Sequence, residues 1–458
     1  MKKLLALLLA LTMTFGMVAC GSKETTDADQ TTEPGTTETG DTANTGDTAE
    51  GGETTGDATA ITIWTYPIGK FGDRDSVNEL IAKFNEVHPE ISVTLELLDY
   101  TNGDTQVTGA ITAGTTPDII MEGPERLVTN WGAAGKMVDL SDLWTDEVKA
   151  DIEATSPSVV SACQLDGKYY EYPLCMTTHT MAINYEAFEA AGALQYIDEE
   201  TRTWTTEDFQ NALKALKDAG ATPVNGIVYC GGQGGDQGTR ALVNNLYSGT
   251  YTNAEHTEYT ANSPENVEAL TLLQTLVNDG LLVADPAAQA ADELQQFANG
   301  TAAMTFCWNA SNKAQYAADV SFTPFAMAFP SDDGQPELCG GIWGFGIFDN
   351  GDQARIDAAK TFIQFVCDDE TQAAASVQMT GFFPVRASLG NVYAGTETEA
   401  DADEFLTLMP YLGDYYNVTG GWTEQRTLWF NMLQQVFSGT DAQTAADTFV
   451  ESANANIK

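Results

Sequence analysis

Residues 166–192 read DGKYYEYPLCMTTHTMAINYEAFEAAG, and how this stretch is read decides the fold. Asp166-Gly167 is a turn dipeptide. Lys168-Tyr169-Tyr170-Glu171-Tyr172 runs from it into Pro173. A second aromatic-flanked run, Met181-Ala182-Ile183-Asn184-Tyr185, leads to a short helix closing at Gly192. Between the runs, residues 174–180 carry the small and polar side chains suited to a strand crossing between two bodies. The same letters also suit a strand-turn-strand inside one domain, so the rest of the chain must decide.

A chain of 458 residues is too long for one small domain and fits two lobes plus appendages. With 43% hydrophobic residues it can bury ample cores. Its 66 acidic against 20 basic residues give a formal charge of -46. That excludes nucleic acid, whose phosphates need Lys and Arg, and electrostatic docking on anionic lipid. It does not exclude an anionic small ligand, because a local basic cluster can outweigh a distant field.

Lys2 and Lys3 precede an apolar run over 4–11, then Met17-Val18-Ala19-Cys20-Gly21. The run is too short to span a bilayer, so residues 1–19 read as a signal peptide. Cys20-Gly21-Ser22 resembles a bacterial lipoprotein signal, in which the cysteine becomes the lipidated first residue; Met17 departs from the usual Leu. Residues 20–59 are almost entirely Thr, Glu, Asp, Gly, Ala and Ser, the composition of a disordered tether. The body is then expected outside the cell, held to the outer face of the membrane by lipid alone. The remaining cysteines, Cys163, Cys175, Cys230, Cys307, Cys339 and Cys367, form no C-x-x-C pair and read mostly as small buried hydrophobes.

From Ala60 onward the pattern is strand, helix, strand. Residues 61–66 read as a strand, and Val77, Leu80, Ile81 and Phe84 fall at helical spacing before His88-Pro89. Ile91, Val93, Leu95 and Leu97 alternate with polar residues, and residues 117–121 give a third strand. This order predicts parallel, helix-covered sheets. Helices follow over 204–220 and 264–279, strands over 223–229, 302–306 and 342–348, and helices around Ile363 and Leu433.

Enzyme signals are absent. His88, His179 and His256 are scattered, which speaks against a catalytic zinc site, and neither a phosphate loop nor a nucleophile elbow occurs. Among so many acids, any two could pose as a glycosidase pair. Aromatic residues instead recur where strands end: Trp64, Tyr66, Trp308, Trp343 and Trp422. Sugars bind on flat aromatic platforms beside planar hydrogen-bonding groups, and ligands of open sheets sit at the carboxyl ends of strands.

Several segments resemble the extracellular solute-binding proteins of ABC sugar importers, the family that includes the maltose-binding protein. Ala113-Gly114-Thr115-Thr116-Pro117-Asp118-Ile119-Ile120 is similar to its G-x-x-P-D-[IV] turn and strand. Met121-Glu122-Gly123-Pro124-Glu125-Arg126 follows, with Glu122 where the maltose receptor has an aromatic ring and Glu125-Arg126 matching its acid-Arg pair. Residues 127–143 resemble the next helix and its continuation. Asn299-Gly300-Thr301-Ala302-Ala303-Met304 with Trp308 resembles the "G-x-A-A-M … W" element, whose Trp stacks on ligand. Cys339-Gly340-Gly341-Ile342-Trp343-Gly344 is similar to the return crossover, and Gly381-Phe382-Phe383-Pro384-Val385-Arg386 to the last one. Gln435-Val436-Phe437-Ser438-Gly439 with Ala445-Ala446 resembles the closing helix pair.

The resemblance implies a two-lobe α/β fold of the periplasmic-binding-protein kind, each lobe a helix-covered, mostly parallel sheet, with three crossovers. Lobe 1 is expected over 60–175 and 341–388, lobe 2 over 176–340 and 389–458. It implies a monomeric, non-enzymatic receptor without cofactor or metal, which binds a mono- or oligosaccharide in the cleft and delivers it to a membrane permease. Trp64, Tyr66, Glu122, Glu125 and Arg126 are expected on one face; Asp236, Trp308, Trp422 and Arg426 on the other. Trp343 is expected at the hinge, and Thr177, Thr178 and His179 at the cleft floor. A capping or salt-bridge role explains Asp236 and Arg426 equally well. The alternatives are a surface-anchored glycosidase, or a receptor for a polyamine, a phosphorylated polyol or iron, the last drawing on Tyr169-Tyr170 and Tyr415-Tyr416.

Overall fold

A computed structural model describes residues 58–457 apart from Thr101 and Gln233. The expected signal peptide, the lipid-bearing Cys20 and the tether up to residue 57 lie outside the described residues. The tether was expected to run to residue 59, but Thr59 already opens the first strand. There it pairs with Ile91 and donates its N–H to the Glu90 carbonyl at 2.9 Å.

Two sheets organise the body. In chain order their strands are β1 (Thr59–Thr65), β2 (Ile91–Leu97), β3 (Ile119–Glu122), β4 (Tyr172–Thr178), β5 (Thr180–Asn184), β6 (Met304–Trp308), β7 (Pro324–Met327), β8 (Gly340–Ile347) and β9 (Phe383–Pro384). The larger sheet has the order β9-β4-β8-β3-β1-β2, the smaller β6-β5-β7. The expectation of mostly parallel sheets needs correcting. In these two sheets only β1 runs parallel to its neighbours, β2 and β3, and a separate two-stranded pair, Ile227–Tyr229 with Val283–Asp285, is also parallel. β8 is antiparallel to both β3 and β4, β9 is antiparallel to β4, and the smaller sheet is antiparallel throughout. The cause is topological. Helices α1 (Arg74–Val87) and α2 (Gly103–Ala113) return the chain for the parallel trio. β4 and β8, by contrast, carry the chain out of the larger sheet and back into it, so they run in opposite senses.

The stretch over 166–192 performs that exit. Asp166 (φ 52°) and Gly167 (φ 78°) form the two-residue turn of a hairpin between Gln164–Leu165 and Lys168–Tyr169, the pair of positive φ angles that such tight turns require. β4 then lies in the larger sheet and β5 in the smaller, with His179 alone between them. The His179 N–H donates to the Cys339 carbonyl at 2.8 Å, so exit and return strands are tied at the point of passage.

Each sheet has its own core. Around the larger one, Ile63, Phe84, Ile119, Phe345 and Phe362 are buried together. In α1 the apolar residues recur every three or four positions, so Val77, Leu80, Ile81 and Phe84 face inward; Asp73 caps it by accepting the Ser76 N–H at 2.8 Å. Around the smaller sheet, Ile183, Phe209, Leu213, Phe306 and Leu433 are buried together. There helix α3 (Thr206–Ala219) starts on a Thr205 cap and stops at Gly220, whose φ of 61° suits glycine. Burying each such Phe or Leu contributes about 1.5–3 kcal/mol. Helices α4 (Asp236–Leu246), α5 (Gln353–Asp368) and α6 (Trp422–Phe437) complete the frame. Five of the cysteines after Cys20 are buried, Cys307 is half-buried, and all six are free thiols.

Candidate ligand-binding site

The carboxyl ends of β1, β2 and β3 gather one polar cluster. Tyr66 follows β1, Tyr100 and Asp104 follow β2, Glu122 ends β3, and Arg126 sits in the helical turn Pro124–Arg126. The Arg126 guanidinium forks onto Asp104, with Nε to Oδ1 at 2.8 Å and Nη2 to Oδ2 at 3.1 Å. Its Nη1 donates to Glu122 Oε1 at 3.1 Å and lies 3.9 Å from Glu125. The Tyr66 hydroxyl donates to Asp104 at 2.8 Å. Tyr66 and Tyr100 stack with centroids 5.0 Å apart, and Arg126 lies over both rings. Tyr66 is fully buried, whereas Tyr100 is 51% exposed, so the pair is an anchored platform with one open ring. Protein nonetheless surrounds Tyr100 at longer range and, with the Glu122 charge, drives its hydroxyl pKa well up, as expected for a ring inside a cleft.

The cluster holds more acid than one arginine can neutralise. Burial pushes Glu122 up to about 7 against the pull of Arg126, and the Glu125 charge adds to the push. Burial also opposes ionisation of Asp104, but its bonds to Arg126 prevail and hold it below the usual carboxylate range. Behind them Glu171 is fully buried, and among the described residues both its carboxylate oxygens are unpartnered. Burial, then the charges of Glu125 and Glu122, raise its pKa well above the usual carboxylate range.

A second cluster forms at the starts of α4 and α6. Asp236 is fully buried and receives Arg426 Nε at 2.9 Å, while Arg240 Nε lies 2.9 Å away. Burial opposes its charge, but the two arginines hold its pKa down. Arg240 is enclosed by the rings of Tyr251, Tyr416 and Trp422 at 4.9, 5.1 and 4.7 Å, and donates to Asn417 at 3.1 Å. Arg426 lies near the Trp422 ring at 5.8 Å and is only partly exposed. Its charge also helps lower Asp104 in the first cluster, so the two clusters confront each other. The Tyr415 hydroxyl bridges them, donating to Glu125 Oε2 at 2.9 Å.

The structure thus brings Tyr66, Glu122, Glu125 and Arg126 together, and Asp236, Trp422 and Arg426 together. Trp64 is half-buried in β1, beside the first group in sequence. Thr177 and Thr178 are fully buried in β4 opposite Gly341 and Gly340, and among the described residues the Thr178 hydroxyl has no partner. His179 is buried beside them, and burial, aided by the Arg240 charge, lowers its pKa to about 4, leaving a neutral ring. Trp343 stacks on Phe382 at 4.7 Å and meets the His179 ring edge-on at 6.3 Å, beside the passage point.

Trp308 stands apart from the face expected for it. It is 1% exposed and packs edge-on against Phe297 at 5.5 Å inside the second core, leaving no open face for a ligand. Asp236 has both oxygens facing arginines, which is the salt-bridge role. Sequence reasoning missed Tyr100, Asp104, Arg240 and Asn417. The position of Tyr100 directly after an alternating strand was the one signal available for it.

A model of the bacterial extracellular solute-binding proteins matches residues 79–405, well over half the chain. No curated protein matches it in sequence. Among solved structures it is similar to a Listeria monocytogenes ABC substrate-binding protein in complex with cycloalternan, at 22% identity and TM-score 0.69, covering 87% of this chain and 99% of that one. It is similar to the cyclic α-maltosyl-1,6-maltose binding protein of Arthrobacter globiformis, at 20% identity and TM-score 0.71, covering 87% and 98%. It is also similar to the maltose-bound MalE3 of T. maritima, at 18% identity and TM-score 0.65, covering 87% and 100%. With more than half of it matched by the family model, this chain belongs to the bacterial extracellular solute-binding proteins.

Proposed function

We propose that this chain is the substrate-binding receptor of an ABC importer, that it binds a carbohydrate between two lobes, and that it delivers it to a membrane permease. The observation that carries the reading is the pair of facing clusters. The open Tyr100 ring on its Tyr66 support, with Arg126, Asp104 and Glu125 beside it, confronts Trp422 and Arg426. Aromatic faces suit sugar C–H surfaces, and planar forks suit vicinal hydroxyls. Sugar ligands of the three structural neighbours support the same class.

The lobes divide at 60–175 with 341–388, and 176–340 with 389–458. Ligand touching both faces favours the closed arrangement by its extra contacts there. Lipid on Cys20 holds the body to the outer face of the membrane. A hydrolytic role is disfavoured by the carboxylates themselves: Asp104, Glu122 and Glu125 lie on one side around Arg126, and Asp236 opposite is sealed beneath two arginines. Among the described residues of these clusters, no opposed, available pair of acids arises.

Thermal-shift screening of residues 58–458 against a sugar panel tests the proposal, since a ligand that binds the folded state raises the melting temperature. One sugar or a related set should shift it. Flat curves with every sugar, alongside a shift with iron or a polyamine, would sink it.

A further inference from the structure

Glu122 and Glu171 sit on one face of the larger sheet with two glycines between them. Gly344 of β8 lies opposite Glu122 on β3 and opposite Pro173 on β4, so these three share a face. Glu171, two residues before Pro173, returns to that face by alternation. On β8 the positions of that face are Gly344 and Gly346, which put no side chain between the two carboxyls. They feel each other across the gap, since the charges of Glu125 and Glu122 add to burial in raising Glu171.

Positive charge falls short here. Arg126 is spent on Asp104 and Glu122 and only approaches Glu125, at 3.9 Å. Glu122 also accepts the Gly123 N–H. Glu171 is fully buried, and among the described residues its carboxyl has neither a hydrogen bond nor an ion pair. The other titratable groups facing it supply no compensating charge. They are the thiols of Cys163, of Cys175 on β4 and of Cys367 on α5, and the Tyr415 hydroxyl, each raised first by burial, with the Glu171 charge adding. Tyr66 and Tyr100, which feel Glu122, are likewise raised chiefly by burial. A carboxylate buried without a partner costs far more than a carboxylic acid in the same place.

The seal over this group comes from the opposite face, where the Tyr415 hydroxyl donates to Glu125 Oε2 at 2.9 Å. Parting the faces breaks that bond and admits water, which favours the charged forms. Two neighbours do not blur the effect above pH 6.5. Asp104 is held below the usual carboxylate range and stays ionised, and His179, lowered to about 4, stays neutral. We propose that Glu122, Glu125 and Glu171 act as one proton-holding group, which takes up a proton when the faces close and releases it to solvent when they part, so that rising pH opens the cleft. This rests on the two-lobe receptor reading in that the faces must part, and not on which ligand they hold.

Small-angle scattering of the ligand-free protein from pH 6.5 to 8.5 tests it. One proton shifts the closed-to-open ratio by up to about tenfold per pH unit, so the radius of gyration should rise across the range. Glu122→Gln combined with Glu171→Gln, or Glu171→Gln alone if the pair fails to fold, should keep the compact radius at pH 8.5. His256 meets Asp414, the neighbour of Tyr415, at 2.6 Å, yet His256→Gln should keep the wild-type response. Infrared spectra should show a carboxylic-acid band at pH 6.5 that fades by pH 8.5 and weakens in Glu171→Gln. A radius indifferent to pH, a response lost in His256→Gln but kept in the glutamine variants of the glutamates, or no carboxylic-acid band at pH 6.5 would each overturn the proposal. If the radius ignores pH yet shrinks with a sugar that raises the melting temperature, the receptor reading stands and this proposal alone falls.

Discussion

The hydroxyl of Tyr415 donates to Glu125 Oε2 at 2.9 Å, joining residues 290 positions apart. Tyr415 packs against the core of the larger sheet, while its neighbour Tyr416 covers Arg240 in the second cluster. One dipeptide therefore touches both faces. Removing the hydroxyl with Tyr415→Phe should cost about 1 kcal/mol of that contact and shift the ligand-free chain toward a more open arrangement. Its radius of gyration by small-angle scattering should exceed that of the wild type; an identical scattering curve would mean the bond does not bias the two faces.

Among the described residues Arg126 is the one cation in ion-pair contact with Asp104, Glu122 and Glu125. Arg126→Met should destabilise the fold by about 3 kcal/mol at pH 7, because a buried carboxylate is left without its partner. Denaturant melts measure this. A change below about 0.5 kcal/mol, typical of surface substitutions, would show that the charges are already screened.

The pH dependence has a definite sign. Burial pushes folded Glu122 up to about 7, and pushes Glu293, buried in the helix Ala290–Ala298 against Thr305, up to about 8, from an ordinary value of 4.5. Between 4.5 and these values the folded chain holds protons that the unfolded chain has released, so stability falls as pH rises through the window. His179 has the opposite sense, since its lowered value near 4 costs stability only as pH falls below 6.5. From pH 6.5 to 8 the carboxyl effect is unopposed by it. Melting temperature should therefore be higher at pH 6.5 than at pH 8, and the double variant Glu122→Gln, Glu293→Gln should flatten the difference. A higher melting temperature at pH 8 would refute the assignment.

Gly344 lies where β8 bulges against β4, and a Cβ there would come 2.4 Å from the Tyr172 carbonyl oxygen. Backbone cannot yield as a flexible side chain can. Gly344→Ala should cost about 2 kcal/mol, whereas alanine at Gly135, which has open space but a φ of 66°, should cost about 1 kcal/mol from strain alone. Equal losses in chemical denaturation would contradict the close approach of β4 and β8.

Much of the frame was legible in the letters because local rules governed it. Val77, Leu80, Ile81 and Phe84 announce a helix face, and Asp166-Gly167 announces a turn, without reference to anything distant. The passage from β4 to β5 was legible only through the order of elements on either side. Pairing direction was not, because alternation of side chains is the same in parallel and antiparallel strands. The site divides in the same way. Glu122, Glu125 and Arg126 share one short segment that could be read together, whereas Asp104 reads as an ordinary residue of a helix's first turn until Arg126 is placed beside it. Trp308 is expected to meet ligand because it ends a strand and matches a ligand-stacking element, but its burial depends on Phe297, eleven residues earlier and on another element. Arg240 gave no sign that it would be enclosed by three rings from distant segments.

The account rests on a sugar held between two faces that close upon it. The most direct test is small-angle scattering of residues 58–458, with and without a sugar that raises the melting temperature, beside Arg426→Ala. The account predicts that saturating sugar reduces the radius of gyration of the wild type, and that Arg426→Ala weakens binding and needs more sugar for the same compaction. A sugar that binds tightly yet leaves the radius unchanged, with full affinity retained in Arg426→Ala, would contradict it.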